Sequence, residues 1–80
     1  MDTEFYSLAQ IAPGDTVCVR KLHLSGAIRQ RLLDLGLIEG TRIQCLSRSP
    51  AGDPTAYFIR GAVIALRGKD SSKIEVFECR

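Results

Sequence analysis

The sequence predicts a small, mainly β domain with one or two short helices, a five-stranded antiparallel barrel bent around a single core. Three observations predict it. Five short segments alternate apolar and polar residues or carry β-branched residues, each bounded by glycine, proline, aspartate or serine. One stretch of helical periodicity lies between the first and second of them. Finally, 80 residues, 45% of them hydrophobic and 25% charged, are the ordinary proportions of one globular domain. A chain this short buries little more than ~60% of its extended surface, so a second core has no room and each core side chain counts.

In chain order, residues 7–11 form a short helical or extended opening, stopped by the turn Pro13-Gly14-Asp15. Residues 16–22 are the first strand, with Val17 and Val19 on one face and Cys18 and Arg20 on the other. Residues 25–35 are helical. Ser25 is the candidate N-cap, its hydroxyl positioned to accept from a first-turn N–H, and Ile28, Leu32 and Leu35 fall within an arc of roughly 60° as the inward stripe. Arg29, Gln30 and Asp34 point elsewhere, and Leu33 stands apart from the stripe between polar neighbours. Gly36 suits the left-handed residue that closes a helix, with Leu37 folding back on Leu32 in a Schellman ending.

Glu39-Gly40 makes a second turn at once, and residues 41–47 are the second strand. Pro50 and Pro54 each remove a backbone donor and disfavour helix before them, so residues 48–54 form a loop with the rigid tip Gly52-Asp53-Pro54. Asp53 is expected to bond nearby backbone there. Residues 55–59 are the third strand, Arg60-Gly61 a hairpin turn, and residues 62–67 the fourth strand, with Ile64 and Leu66 facing opposite to Val63 and Ala65. Residues 68–73 hold one helical turn, residues 74–77 are the fifth strand, and Glu78-Cys79-Arg80 frays.

The chemistry of the chain points away from catalysis. No nucleophile stands with a base, no catalytic carboxylates are paired, and Gly36 and Gly40 lack the Gly-Lys-Ser/Thr of a phosphate loop. His23, the single histidine, reads as a solvated or loop-packed side chain. Cys18, Cys45 and Cys79 are odd in number and far apart and contain no C-x-x-C, which argues against a disulfide framework and a zinc knuckle; they read as reduced thiols. No cofactor and no preformed metal site are expected. The net charge of +2, with no run of like charge beyond Arg20-Lys21, lacks the footprint of a nucleic-acid binder. Arg60 and Arg67 read as solvated faces or as ion-pair partners of nearby acids, worth little at a surface. The opening residues 1–5 are acidic and carry no leader pattern, and no apolar run approaches the ~18 residues of a membrane span, so a cytoplasmic location is expected.

The order Pro13-Gly14-Asp15, Arg31-Leu32-Leu33-Asp34-Leu35-Gly36-Leu37, Glu39-Gly40-Thr41, Gly52-Asp53-Pro54, then Gly61 with Ile64-Ala65-Leu66-Arg67, resembles the FeoA family, ferrous iron transport protein A, over roughly residues 8–77. The resemblance implies an SH3-like barrel in the bacterial cytoplasm, non-enzymatic, partnered with the cytoplasmic, G-protein-bearing part of a FeoB-like ferrous iron permease and meeting the membrane only through it. The same barrel resembles the C-terminal domain of iron-dependent repressors, so a regulator or nucleic-acid-binding module is the competing reading, disfavoured because the chain lacks a winged-helix portion. The cap accounts structurally for most of residues 31–41; as candidate partner contacts there remain Arg29, Gln30 and Leu33 on the outward side of the helix and Gly52, Asp53 and Pro54 at the loop tip.

Three isolated cysteines and one histidine give no local chelate. Stripping metal with a chelator under reducing conditions is therefore expected to leave the melting temperature unchanged. A large fall in a thermal scan would require a structural ion.

Overall fold

The computed structural model describes residues 5–79. The acidic residues 1–4 and the terminal Arg80 lie outside the described residues. A 3-10 turn at Leu8–Gln10 precedes strand β1 (Thr16–Leu22), helix α1 (Gly26–Asp34), strands β2 (Arg42–Arg48), β3 (Thr55–Ile59) and β4 (Ala62–Leu66), the four-residue helix α2 (Gly68–Ser71) and strand β5 (Ile74–Phe77). The five strands form one antiparallel sheet in the order β4-β3-β2-β1-β5. Ile64 and Leu66 from one edge of that sheet and Ile74 and Val76 from the other meet Val17, Ile43 and Tyr57 in a single core. Two edges can share a core only if the sheet curls round on itself, so the architecture is the expected small barrel.

Local turn chemistry sets the corners. Gly14, at φ 95°, follows Pro13 as the third residue of a turn closed by Asp15 N–H donating to the Ala12 carbonyl at 2.9 Å, which is a type II turn. Arg60 and Gly61, at φ 49° and 86°, form the two-residue turn between β3 and β4, whose left-handed pair matches the twist of the strands it joins. The opening turn is tied down twice. The Gln10 side chain accepts from Ser7 N–H at 2.7 Å, and the Arg48 guanidinium donates to the Ile11 carbonyl at 2.6 Å.

Three expectations are corrected. The inward stripe of α1 holds for Leu32, which is fully buried, and for Ile28, which packs partly against the core, but Leu35 is 39% exposed. Leu35 is the C-cap, and the chain reverses immediately after it, so the fully buried Leu37 takes the inward place. Ser25 stands at the N-cap with extended backbone, yet its hydroxyl makes no capping bond.

The reading of three reduced thiols fails for two of them. Cys18 and Cys79 form a disulfide, with Cα atoms 5.3 Å apart and a sequence separation of 61. The cause is register. β1 and β5 run antiparallel with Cys18 opposite Phe77, which brings the chain just beyond Phe77 within reach of Cys18. Cys18 is buried with Val17 and Val19 and does not point to solvent beside Arg20, and the bond anchors an end expected to fray. Closing a loop this long removes denatured-state entropy worth ~4 kcal/mol in the chain-entropy account. Cys45 is the free thiol, fully buried on β2.

These burials separate two neighbouring leucines of similar sequence appearance. Leu32→Ala is expected to cost about 2–5 kcal/mol by opening a cavity, whereas Leu35→Ala at a half-open cap position should cost less than about 1 kcal/mol. Urea denaturation of the two variants checks the contrast.

Candidate interaction surfaces

Everything that could meet a partner near α1 is positioned by the closing turn after it. Leu37 N–H donates to the Leu32 carbonyl and Gly36 N–H to the Leu33 carbonyl, each at 2.9 Å, the two bonds of a Schellman motif with Gly36 at φ 95°. The buried Thr41 hydroxyl donates to the Gly36 carbonyl at 2.8 Å and accepts from Ile38 N–H at 3.1 Å. Gly40 N–H donates to the Val19 carbonyl at 2.7 Å, and Val19 N–H to the Thr41 carbonyl at 2.9 Å. The helix end is thus hydrogen-bonded to β1.

Gly36 has a second role that its spacing did not announce. The Arg60 side chain, from the β3–β4 turn, lies against it so closely that a Cβ on Gly36 would stand 2.5 Å from Arg60 Cδ. Arg60 is therefore packed across the last turn of α1, where a cation also complements the carbonyl end of the helix. Beside it, Thr16, Gly40, Arg42, Gln44, Phe58 and Arg60 line a shallow groove of about 530 Å³. Leu35 and Ile38, the latter 56% exposed, stand on the same closing turn.

On α1 itself Arg29 and Gln30 are exposed, as the helical wheel requires, and Leu33 is half-buried rather than fully outward. Gln30 is not free to reach outward unopposed, since its amide donates to Asp34 Oδ1 at 2.9 Å. The tip Gly52-Asp53-Pro54 is exposed, with Gly52 at φ 88° and a cis bond before Pro54. Asp53 does not bond its own loop as expected. Its Oδ1 accepts from Gly68 N–H at 2.7 Å, fifteen residues on, while Ser49 closes the loop by donating from its hydroxyl to the Asp53 carbonyl. Asp53 has found the unpaired donors at the start of α2, which the sequence placed nearby only through the β3–β4 hairpin.

The two candidate patches are not brought together. Pro54 precedes β3 and Arg60, beside α1, follows it, so they sit at opposite ends of a five-residue strand, roughly 17 Å apart along it. A third cluster, where β1 and the residue after it meet β5 and the opening segment, went unread in the sequence. His23 stacks on Phe5 with ring centroids 4.4 Å apart, and its Nε2 donates to Glu75 Oε1 at 2.9 Å. Arg20 approaches Glu75 Oε2 at 3.6 Å and lies over the Phe77 ring. Glu75 and Phe77 are alternate positions on β5, Arg20 is on β1, His23 follows β1 and Phe5 belongs to the opening segment, a meeting visible only with the pairing of β1 and β5 known.

Nothing in these clusters assembles a reaction. Burial holds the Cys45 thiol above its ordinary value, with Asp15 adding to the rise and Arg48 opposing it. Burial likewise raises the Tyr57 hydroxyl, with the polar side chains of Ser71 and Thr55 opposing the rise. Both shifts favour the neutral form, the reverse of what a nucleophile requires. Among the described residues no three His, Cys, Asp or Glu side chains converge as a metal site.

The FeoA domain family model matches residues 6–77. The Fe(2+) transport protein A/Fe(2+) transporter FeoB fusion protein of Porphyromonas gingivalis is 32% identical over 69 residues, which is 86% of this chain and 8% of that protein, so the chain spans a small fraction of this relative. The solution structure of FeoA from Chlorobium tepidum superposes with a TM-score of 0.88 at 29% identity, covering 94% of this chain and 71% of the other. The zinc complex of FeoA from Stenotrophomonas maltophilia, a prokaryotic SH3 domain protein, gives 0.78 at 23% identity over 89% and 88% of the two chains, and shares the SH3-like fold.

The contact of Arg60 on Gly36 has a measurable signature. Gly36→Ala is expected to cost on the order of 2 kcal/mol, from a left-handed backbone bearing a Cβ and from displacing Arg60. In an Arg60→Ala background the second part vanishes, so the same substitution should cost about 1 kcal/mol less, which a double-mutant cycle on denaturation midpoints reads directly.

Proposed function

This chain belongs to the FeoA domain family, and we propose that it is a non-enzymatic accessory protein of bacterial ferrous iron uptake, acting by contact with the cytoplasmic, G-protein-bearing part of a FeoB-like permease. The observation that carries this reading is the P. gingivalis relative, in which a transport protein A and a transporter FeoB are one polypeptide. Tethering converts a bimolecular encounter into an intramolecular one at up to ~mM effective concentration. A fusion therefore supports the view that separate versions of the two proteins meet by surface contact. The chain's own chemistry is consistent with that role, because its buried titratable groups are held neutral and its unusual features are surfaces.

In this reading the protein works in the cytoplasm and reaches the inner face of the membrane only through the permease; no described helix is long and apolar enough to cross a membrane. That compartment is reducing, so the Cys18–Cys79 bond would stand there as a dithiol and the fold would rest on its core and on the closure of α1 onto β1. The docking face is the exposed Arg29 and Gln30 of α1 with the half-buried Leu33 at its margin, and Gly52-Asp53-Pro54 is the second surface. No cofactor is called for.

Pull-down with the isolated cytoplasmic domain of the permease, in each nucleotide state, tests the proposal. Leu33→Ala or Arg29→Glu should weaken binding about tenfold or more, with the melting curve nearly unchanged. If both bind like the parent, the helix face is excluded and the loop tip is next. A parent chain that binds in no nucleotide state sinks the whole reading.

A further inference from the structure

The two edges of the sheet are treated differently. The β5 edge is covered by the chain's own opening segment, through the bridge of Ser7 with Glu75 and a 2.8 Å bond from Val76 N–H to the Tyr6 carbonyl. The β4 edge is not covered: among the described residues no strand but β3 pairs with it, and no further hydrogen bond reaches it. Its sequence, Ala62-Val63-Ile64-Ala65-Leu66, has none of the charges, prolines or bulges that usually blunt an edge. Val63 is 65% exposed, and Ala62 and Ala65 are exposed beside it.

Register says which groups are offered. The two-residue turn makes Ile59 and Ala62 a hydrogen-bonded pair, and such pairs alternate along an antiparallel ladder. Ile64 and Leu66 therefore also bond β3. Val63 and Ala65 turn their N–H and C=O groups outward, two donors and two acceptors at the spacing one incoming strand requires. The outward side chains there are Val63 and its cross-strand neighbour Phe58, 42% exposed, an apolar strip for alternate residues of a visitor.

We propose that the free edge of β4 is a strand-addition site for an extended partner segment with apolar residues at alternate positions and acidic residues at both ends. Charge selects that occupant. Arg60 and Arg67 flank the strand, both are exposed, and among the described residues neither is in an ion pair. Of the acids nearby in sequence or fold, Asp53 has its carboxylate on Gly68 N–H, and Asp70 lies in the first turn of α2. A second copy of this chain fits worse. Antiparallel pairing of β4 with itself about Ile64 brings Arg67 of one copy against Arg60-Gly61 of the other, two arginines at each end. A segment with acids at its ends meets them instead, and main-chain bonds supply the affinity while the ends supply selectivity.

This site rests on the accessory role only in needing a partner, and its test is separate from permease binding. A phage-displayed library of random peptides about twelve residues long is selected on the purified chain. The expected result is enrichment of acid-flanked, alternating apolar peptides that protect the Val63 and Ala65 amides from hydrogen exchange. Val63→Pro removes a donor that the fold does not use, so it should abolish that binding. Should that variant melt early, Arg67→Glu decides, because it leaves the backbone and the contact of Arg60 on Gly36 intact and must weaken the selected peptides about fivefold or more. No enrichment, protection elsewhere, equal binding by the variant that decides, or a concentration-dependent dimer lost in Val63→Pro overturns the proposal. Loss of permease binding alone does not.

Discussion

The Thr41 hydroxyl is the joint on which the arrangement of helix and sheet depends. It bonds Gly36 and Ile38 on the helix side, while its backbone and that of Gly40 bond Val19 of β1. α1 needs this, because a nine-residue helix is marginal alone and this one contributes a single fully buried side chain, Leu32. Its position is held by its end more than by its face. The same closure places Arg60 over Gly36, and so sets the corner where the outward side of α1 approaches the β3–β4 turn.

Around that joint, a core too small for redundancy is reinforced by long-range tethers. Arg48 holds the opening turn by its carbonyls, and Asp53 holds the start of α2. The Cys18–Cys79 bond draws the last residues onto β1. Each tether fastens a loop, a turn or a terminus to a neighbouring strand or helix, where a short chain has least apolar surface to bury. Among the described residues the β4 edge has no such cover, which is why it stands out against an otherwise well-tied molecule.

Absence of reactive chemistry and richness of surface go together here. The buried thiol and phenol are kept neutral, and the one histidine is spent on a stacking contact and a carboxylate. What remains distinctive is geometric: an outward helix side, a rigid loop tip and an open strand. Membership of the FeoA domain family gives these surfaces their context.

By itself the sequence determined what is local. The bounds of β1, β3 and β5, the turns at Pro13-Gly14 and Arg60-Gly61, and the left-handed Gly36 follow from alternation and from residues that tolerate only certain backbone angles, and all stand in the structure. The ordered motifs also carried the family, because spacing between turns survives changes in the residues between them. Tertiary structure alone decided the partner of Asp53, the pairing of Cys18 with Cys79, the stacking of His23 and the freedom of the β4 edge among the described residues. In each case the meeting partners are far apart in sequence or defined by what fails to pair, and a side chain's surroundings then depend on strand register and barrel closure, which no local pattern of residues encodes.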